Sequence, residues 1–274
     1  MFVMTHSKIK SILLNITPPA IIKGVRRMRN DSPPRIPDKM SSSGSIETPH
    51  GVFFCDTLAS FRGLYKAYFQ DEAYRFDVDS EKPFIIDGGA NIGVGSRYFK
   101  HLHPDAEIIA FEPDDKIFGL LEKNMGHHSG FTARKMALWS SDGTLSFNAV
   151  GGEGGHLASV TAEDKPQNSP VEVQTFRLRN LLDRKVDLLK LDIEGAELEV
   201  LRDCQDRLHN VERLFVEHHC FVGQMQRLGE FFGILEAAGF RVHLRIDASS
   251  PQPFMRRTLY NGKDSWLNIF AFRE

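Results

Sequence analysis

An apolar run, Phe84-Ile85-Ile86, passes without a break into Asp87-Gly88-Gly89-Ala90-Asn91-Ile92-Gly93, and few backbone paths fit that junction. A short apolar run ended by turn residues reads as a buried strand. The paired glycines let the chain bend sharply and bring its backbone against a ligand, and Gly93 lets the following segment, a helix over residues 94–102, pack closely against the strand. Strand, tight turn and helix together predict a Rossmann-type unit with a nucleotide-like ligand at the carboxyl end of the strand.

About twenty residues on, a second strand, Ile108–Phe111, ends at Glu112, where a carboxylate can accept hydrogen bonds from both hydroxyls of a ribose. Enzymes that bind a dinucleotide place GxGxxG here so that a pyrophosphate rests on a helix N-terminus. This turn opens on Asp87, which repels a pyrophosphate and suits the cationic end of S-adenosylmethionine. The cofactor-binding set is therefore Asp87, Gly88, Gly89, Asn91, Gly93 and Glu112. The plain alternative is a strand-to-helix turn with no ligand, and Glu112 before Pro113 can equally cap the next helix.

Past Lys82, short apolar runs alternate with helix-like segments, the pattern of a parallel sheet wrapped by helices. Strands are expected at 84–87, 107–111, 131–137, 187–191, 212–217, 240–246 and 267–272. A helix is expected over 224–238, with Met225, Leu228, Phe232 and Leu235 inward and Gly239 ending it. Residues 143–150 and 171–176 alternate like a hairpin around Gly151-Gly152-Glu153-Gly154-Gly155-His156.

Upstream, residues 51–76 carry Phe61, Leu64, Tyr65, Tyr68 and Phe69 on one helical face, which is expected to cover the sheet. Residues 30–50 are rich in Pro, Ser and Gly and read as a linker. The expected domains are thus an amphipathic N-terminal segment with a flexible linker, 1–50, and a catalytic domain, 51–274. Within residues 8–29, apolar positions at helical spacing are flanked by Lys8, Lys10, Lys23, Arg26, Arg27 and Arg29, which suits packing on the domain or peripheral contact with an anionic membrane. That stretch is too broken by Lys10, Asn15, Pro18 and Pro19 for a signal peptide or a membrane span.

A net charge of −2, from 34 basic and 36 acidic side chains, provides no field to draw in nucleic acid, so a small-molecule or glycan acceptor is the expected partner. Cys55, Cys204 and Cys220 are odd in number and lack zinc-ligand spacing; they read as reduced thiols of a cytoplasmic protein, peripheral to the inner face of the membrane if residues 8–29 bind there.

Three segments together resemble the FkbM-type methyltransferases: Asp87-Gly-Gly-Ala-Asn-Ile-Gly93, Phe111-Glu112-Pro113 and Leu189-Lys-Leu-Asp-Ile-Glu-Gly-Ala-Glu197. The resemblance covers about residues 82–272, departing from the family at Gly89, where a small aliphatic residue is common. It implies a Rossmann-like class I methyltransferase fold, an α/β architecture with a seven-stranded, mostly parallel sheet and helices on both faces, to which the helical spacing within residues 8–29 adds an N-terminal helical extension. It also implies S-adenosyl-L-methionine-dependent O-methylation of a hydroxyl on a sugar or glycan, or on a non-sugar natural product. A non-catalytic cofactor-binding scaffold is the alternative outside enzymology.

Candidate chemistry lies at the ends of two further strands. The strand ending at Leu191 delivers Asp192 to the sheet edge, and the next delivers Glu217, His218 and His219. An alcohol needs a base as it is methylated, and a histidine oriented by a carboxylate can serve. Period-two alternation sends the two histidines to opposite faces. His218, with Asp192 and Glu217, is the choice for the catalytic set. Glu194 and His156 are assigned to substrate, His156 alternatively to a solvated loop; Glu197 is either functional or a favourable acid in the first turn of a helix. Asp142 either accepts from the adenine amine or forms a turn before Gly143. Lys190 is expected to neutralise the acids. A divalent cation held by Asp192, Glu194, Glu217 and a histidine is a further alternative, though no metal is expected.

Overall fold

The structure, a computed structural model, describes residues 39–42, 44–148, 156–157, 171–248, 250–256, 259 and 263–273. The basic segment 8–29, most of the glycine-rich loop and residues 30–38 of the linker lie outside these residues. Among the described residues, no helix is long and apolar enough to cross a membrane.

Seven strands form the central sheet: β3 (Phe84–Gly88), β4 (Glu107–Phe111), β5 (Phe131–Arg134), β10 (Leu188–Leu191), β11 (Arg213–Phe221), β12 (Arg241–Ala248) and β13 (Lys263–Phe272). Their spatial order is β12-β13-β11-β10-β3-β4-β5. The pairs from β5 to β11 are all parallel, whereas β13 runs antiparallel to both β11 and β12. The order reverses between β3 and β10, so the carboxyl ends of these two strands border the crevice where such sheets bind ligands.

Because side chains alternate across a strand, each central strand feeds two cores. Phe84, Ile86, Leu189, Leu191, Leu214 and Val216 pack on one face against α4 (Glu197–Cys204) and α5 (Leu228–Ala237). Ile85, Ile108 and Leu188 pack on the other against α1 (Leu58–Tyr65) and α2 (Val94–Leu102), while α3 (Asp115–Met125) covers Ala110 through Leu121 and Met125. The expected cover is present: Phe61, Tyr65, Tyr68 and Phe69 are buried, the last two in a single π-helical turn, Lys66–Gln70, that extends α1.

Several expectations need correction. Residues 45–48, assigned by composition to the linker, form β1 (Ser45–Thr48) and pair antiparallel with β2 (Gly51–Phe54). Asn124 on α3 clamps this hairpin, accepting from Phe54 N at 2.7 Å and donating to Phe54 O at 2.8 Å and Ile92 O at 2.7 Å. The expected strand 131–137 is two strands. Met136 N donates to Arg134 O, closing a three-residue turn that sends Ala137–Trp139 (β6) into a second sheet.

That second sheet has the order β6-β9-β7-β8, with β7 (Gly143–Asn148), β8 (His156–Leu157) and β9 (Val171–Arg177), and the expected pairing of β7 with β9 is antiparallel. Helix α5 begins four residues later than expected, because β11 runs on to Phe221 and Arg227 takes a left-handed φ of 49° before the first turn. Met225 is therefore 84% exposed, and the inward residues are Phe231, Ile234 and Leu235. Gly239, with φ of 79°, ends the helix as expected.

Candidate active site

The turn after β3 is held from three sides. Gly89 N and Ala90 N donate to Phe111 O at 3.0 and 2.9 Å, and Asn91 N donates to Glu112 Oε2 at 3.0 Å. From below, Lys190 Nζ donates to Gly88 O at 3.2 Å and Gly89 O at 2.9 Å. Gly89 has φ of 72°, and a Cβ there would lie 1.8 Å from Asp192 O. No side chain fits between the two strand ends, which is why the turn needs glycine. Gly93 serves a different neighbour from the one expected: a Cβ on it would press on Leu121 and Met125 of α3.

Asp87 is fully buried. Its Oδ2 accepts from Ser96 Oγ at 2.6 Å, while Oδ1 has no hydrogen-bond partner and lies 3.4 Å from Lys190 Nζ. Burial opposes the charge on Lys190, but Asp87 and Asp192 (3.5 Å) more than offset it and raise the ammonium's pKa. Glu112 is 7% exposed and accepts from Asn91 N and Asp114 N through separate oxygens. Burial, only partly opposed by those two bonds, pushes its carboxyl up to about 7.

A cavity of about 320 Å³ opens over this turn. Asp87, Gly89, Ala90 and Asn91 line one side; Asp192, Glu194 and Glu217 line the next; Tyr68 and Tyr74 roof it. The sheet register explains the convergence. Lys190 pairs with Asp87, Glu217 pairs with Asn268, and Arg245 pairs with Asn268, so these side chains share the face that carries α1. Arg245, Lys263 and Trp266 complete the far wall. Those three were not singled out in the sequence: Arg245 lies within an expected strand, whereas Lys263 and Trp266 precede residue 267, where β13 is expected to start, and a register shift between them breaks the alternation.

At the mouth of the cavity the loop after β10 carries Glu194 in a left-handed conformation, φ 54°. Its Oε2 lies 2.7 Å from Lys263 Nζ and 3.7 Å from His219 Nε2. Burial raises its carboxyl to about 7, against the pull of His219 and Lys263. Glu197, the alternative between structure and function, is a loop clamp: its carboxylate accepts from Ile193 N and Gly195 N, each at 3.1 Å. Glu217 Oε1 lies 2.9 Å from His219 Nε2; a carboxylate only accepts, so the imidazole donates. Burial and then Asp192 raise the Glu217 carboxyl, while His219 and Lys190 pull it down.

His218 is a correction. It pairs with Leu267 on the opposite face, donates from Nε2 to Gln226 O at 3.0 Å and sits 5.1 Å from the Phe231 ring. It borders a separate groove and does not line the cavity. Alternation does put the two histidines on opposite faces of β11, and His219 shares the face of Glu217, but only Glu217 lines the cavity, and both histidines border the separate groove. Asp142 is likewise a turn residue, with Oδ1 accepting from Arg177 N at 2.8 Å and Oδ2 from Asn180 Nδ2 at 3.3 Å. His156 falls in β8, and its side chain is outside the described part. The spacing that suggested a cation brings together Asp192, Glu194 and His219, whose ligating atoms all lie within 4.8 Å, but Lys190 and Lys263 already stand against two of the three. Cys55, Cys204 and Cys220 are buried thiols.

Residues 87–242, from the cavity's buried aspartate to β12, match the family described as "Methyltransferase FkbM domain". The chain belongs to the FkbM methyltransferase family. Among FkbM relatives, it is similar to "Methyltransferase 1" of Beauveria bassiana (strain ARSEF 2860), 33% identical over 167 residues, covering 52% of this chain and 67% of that protein. It is also similar to "Methyltransferase sdnD" of Sordaria araneosa, 33% identical over 191 residues, 57% of this chain and 74% of that protein. "2-O-methyltransferase NoeI" of Sinorhizobium fredii (strain NBRC 101917 / NGR234) is 25% identical over 158 residues, 52% of this chain and 65% of that protein. As a member of the FkbM family the chain is an S-adenosylmethionine-dependent methyltransferase. The residues present fit that cofactor: a glycine cradle with no room for a Cβ, a buried Asp87 oxygen lacking a hydrogen bond, and a cavity within the few-hundred-Å³ range of small-molecule sites.

Proposed function

We propose that the protein transfers a methyl group to a hydroxyl oxygen of a sugar or glycan, with Glu217 receiving the hydroxyl proton. The observation that carries this reading is the meeting, in one cavity, of the Asp87–Asn91 turn with Asp192 and Glu217 from the two neighbouring strands. Bound S-adenosylmethionine supplies a sulfonium methyl. Asp87, in the cavity lining, would hold its ammonium, Glu112, beside the turn, would hold its ribose, and the roof of Tyr68 and Tyr74 would keep bulk water from the transfer line. The acceptor oxygen forms the new bond to carbon, the carbon–sulfur bond breaks with its electron pair left on sulfur, and the hydroxyl proton passes to Glu217. Most of the acceleration comes from alignment, with about 10²–10⁴-fold from the base.

The sugar reading is supported by the mixed wall opposite the turn. Trp266 offers a flat apolar surface, while Arg245, Lys263 and Glu194 offer hydrogen-bonding groups, the combination a polyhydroxylated ring needs. The printed name of one relative, a 2-O-methyltransferase, agrees with oxygen as the acceptor atom. The test is tritium transfer from methyl-labelled S-adenosylmethionine to a panel of methyl glycosides and to non-sugar alcohols. Label in glycosides, abolished by Asp87→Ala, supports the reading. Label only in the non-sugar alcohols replaces it by the natural-product alternative, and label in neither class leaves the scaffold reading.

A further inference from the structure

We propose that His219 is a positioning residue for methyl transfer, orienting Glu217 toward the acceptor and acting only through it. The inference rests on the reading that Glu217 receives the hydroxyl proton.

His219 is 5% exposed and does not touch the cavity that Glu217 lines. Two residues apart on β11, the side chains share a face, and the 2.9 Å contact from Nε2 to Oε1 fixes one carboxylate oxygen. The other oxygen is left to meet substrate. Behind the imidazole, Nδ1 makes no hydrogen bond, but Oε1 of Glu197 lies 3.6 Å away as an ion-pair neighbour, and Glu197 is itself held by two backbone N–H groups of the Ile193–Gly195 turn. One hydrogen bond, from His219 to Glu217, and one ion-pair approach, from Glu197 to His219, thus lead toward the cavity wall. These contacts restrict a carboxylate that would otherwise sample several rotamers, and restriction of this kind is what distinguishes a working base from a surface acid.

The charges around the pair have one consistent effect. Asp192 and Glu194 face it from the loop after β10, Glu197 from α4, Lys190 from β10, Lys263 from β13, Arg245 from β12, and Tyr68 and Tyr74 from the roof. Burial alone would neutralise the imidazole, but Glu197, Glu217 and Glu194 hold its pKa well above the ordinary histidine value. His219 is thus a charged donor to Glu217, and the proton taken from the acceptor goes to the carboxylate.

A double-substitution cycle in the full-length protein tests this, with methyl β-D-glucopyranoside and methyl β-D-glucuronopyranoside as acceptor probes. His219→Phe is expected to lower kcat by about 10–100-fold with an unchanged KM for S-adenosylmethionine, and His219→Gln, which keeps a donor, to recover most of the loss. In a Glu217→Gln background His219→Phe should cost nothing more. Equal losses in both backgrounds, or full activity of His219→Phe beside an inactive Glu217→Gln, overturns the proposal while leaving the role of Glu217 intact. Full activity of Glu217→Gln overturns both. Should His219→Phe not fold, or neither probe be methylated by the wild type, ¹⁵N-histidine spectra decide: His219 is expected doubly protonated at pH 7, with its Nε2 signal moved by Glu217→Gln. A neutral or unmoved imidazole overturns the inference.

Discussion

Glu112 turns burial into a measurable proton. Its carboxyl, held near 7 by desolvation, is partly protonated at neutral pH, and on the proposed reading ribose hydroxyls donating to it would favour the charged form. Binding of S-adenosylmethionine at pH 6.5 should therefore release a fraction of a proton, read by calorimetry in buffers of different ionisation enthalpy. Glu112→Gln should abolish the release and weaken binding by about 10–100-fold. The same group bears on folding. Its folded pKa lies above its unfolded value of 4.5, so its contribution to stability is fully present below pH 4.5 and is lost as pH rises through about 7. Glu112→Gln should flatten the stability profile across that window. At the turn itself, Gly89→Ala combines a left-handed φ with a backbone collision and should cost about 2–4 kcal/mol in denaturant unfolding and eliminate cofactor binding.

These residues were legible in the sequence because their requirement is local. An apolar strand followed by an acid and two glycines can be read from its own neighbours. The choice between His218 and His219 could not be made that way: it depends on which face of β11 receives α5 and which receives α1, a fact of packing. Asp142 was open for the same reason, since its partners Arg177 and Asn180 are 35 and 38 residues away.

Among the elements, the hairpin β1–β2 depends on a single buried amide. Asn124 is 1% exposed and satisfies Phe54 N, Phe54 O and Ile92 O at once. Asn124→Ala strands these groups and should destabilise the protein by about 2–4 kcal/mol, with faster amide exchange at Phe54 as the local signature. The pairing was hidden because Ser45–Thr48 lies in a Ser- and Gly-rich stretch and only Ile46 enters the core. Composition recorded the exposed majority and missed the one anchoring side chain. Helix α5 was shifted for a related reason: apolar Met225 fits the helical period, but the chain is still turning out of β11 there. Strand positions 84–88, 107–111 and 188–191 came within a residue or so of expectation, since strands buried on both faces are continuous apolar runs that no competing pattern resembles.

For the whole molecule, 34 basic and 36 acidic side chains leave little long-range field. Turnover on a neutral glycoside should change by less than about twofold between 50 and 300 mM salt, and the protein should not retard DNA or RNA in a gel. A steep salt dependence with methyl β-D-glucuronopyranoside, absent with the neutral glycoside, would instead show a charged acceptor drawn by Arg245 and Lys263.

The reversal of β13 separates two histories within one cavity. Because that strand alone runs against its neighbours, its first residues, not its last, arrive where the parallel strands end. On the proposed reading, the donor side is thus written near residues 87–112 and much of the acceptor side near 245–266, more than a hundred residues later. Substitutions in the second stretch can retune what is methylated without disturbing the turn that grips the methyl donor, so a lineage built on this plan can exchange customers while keeping its tool.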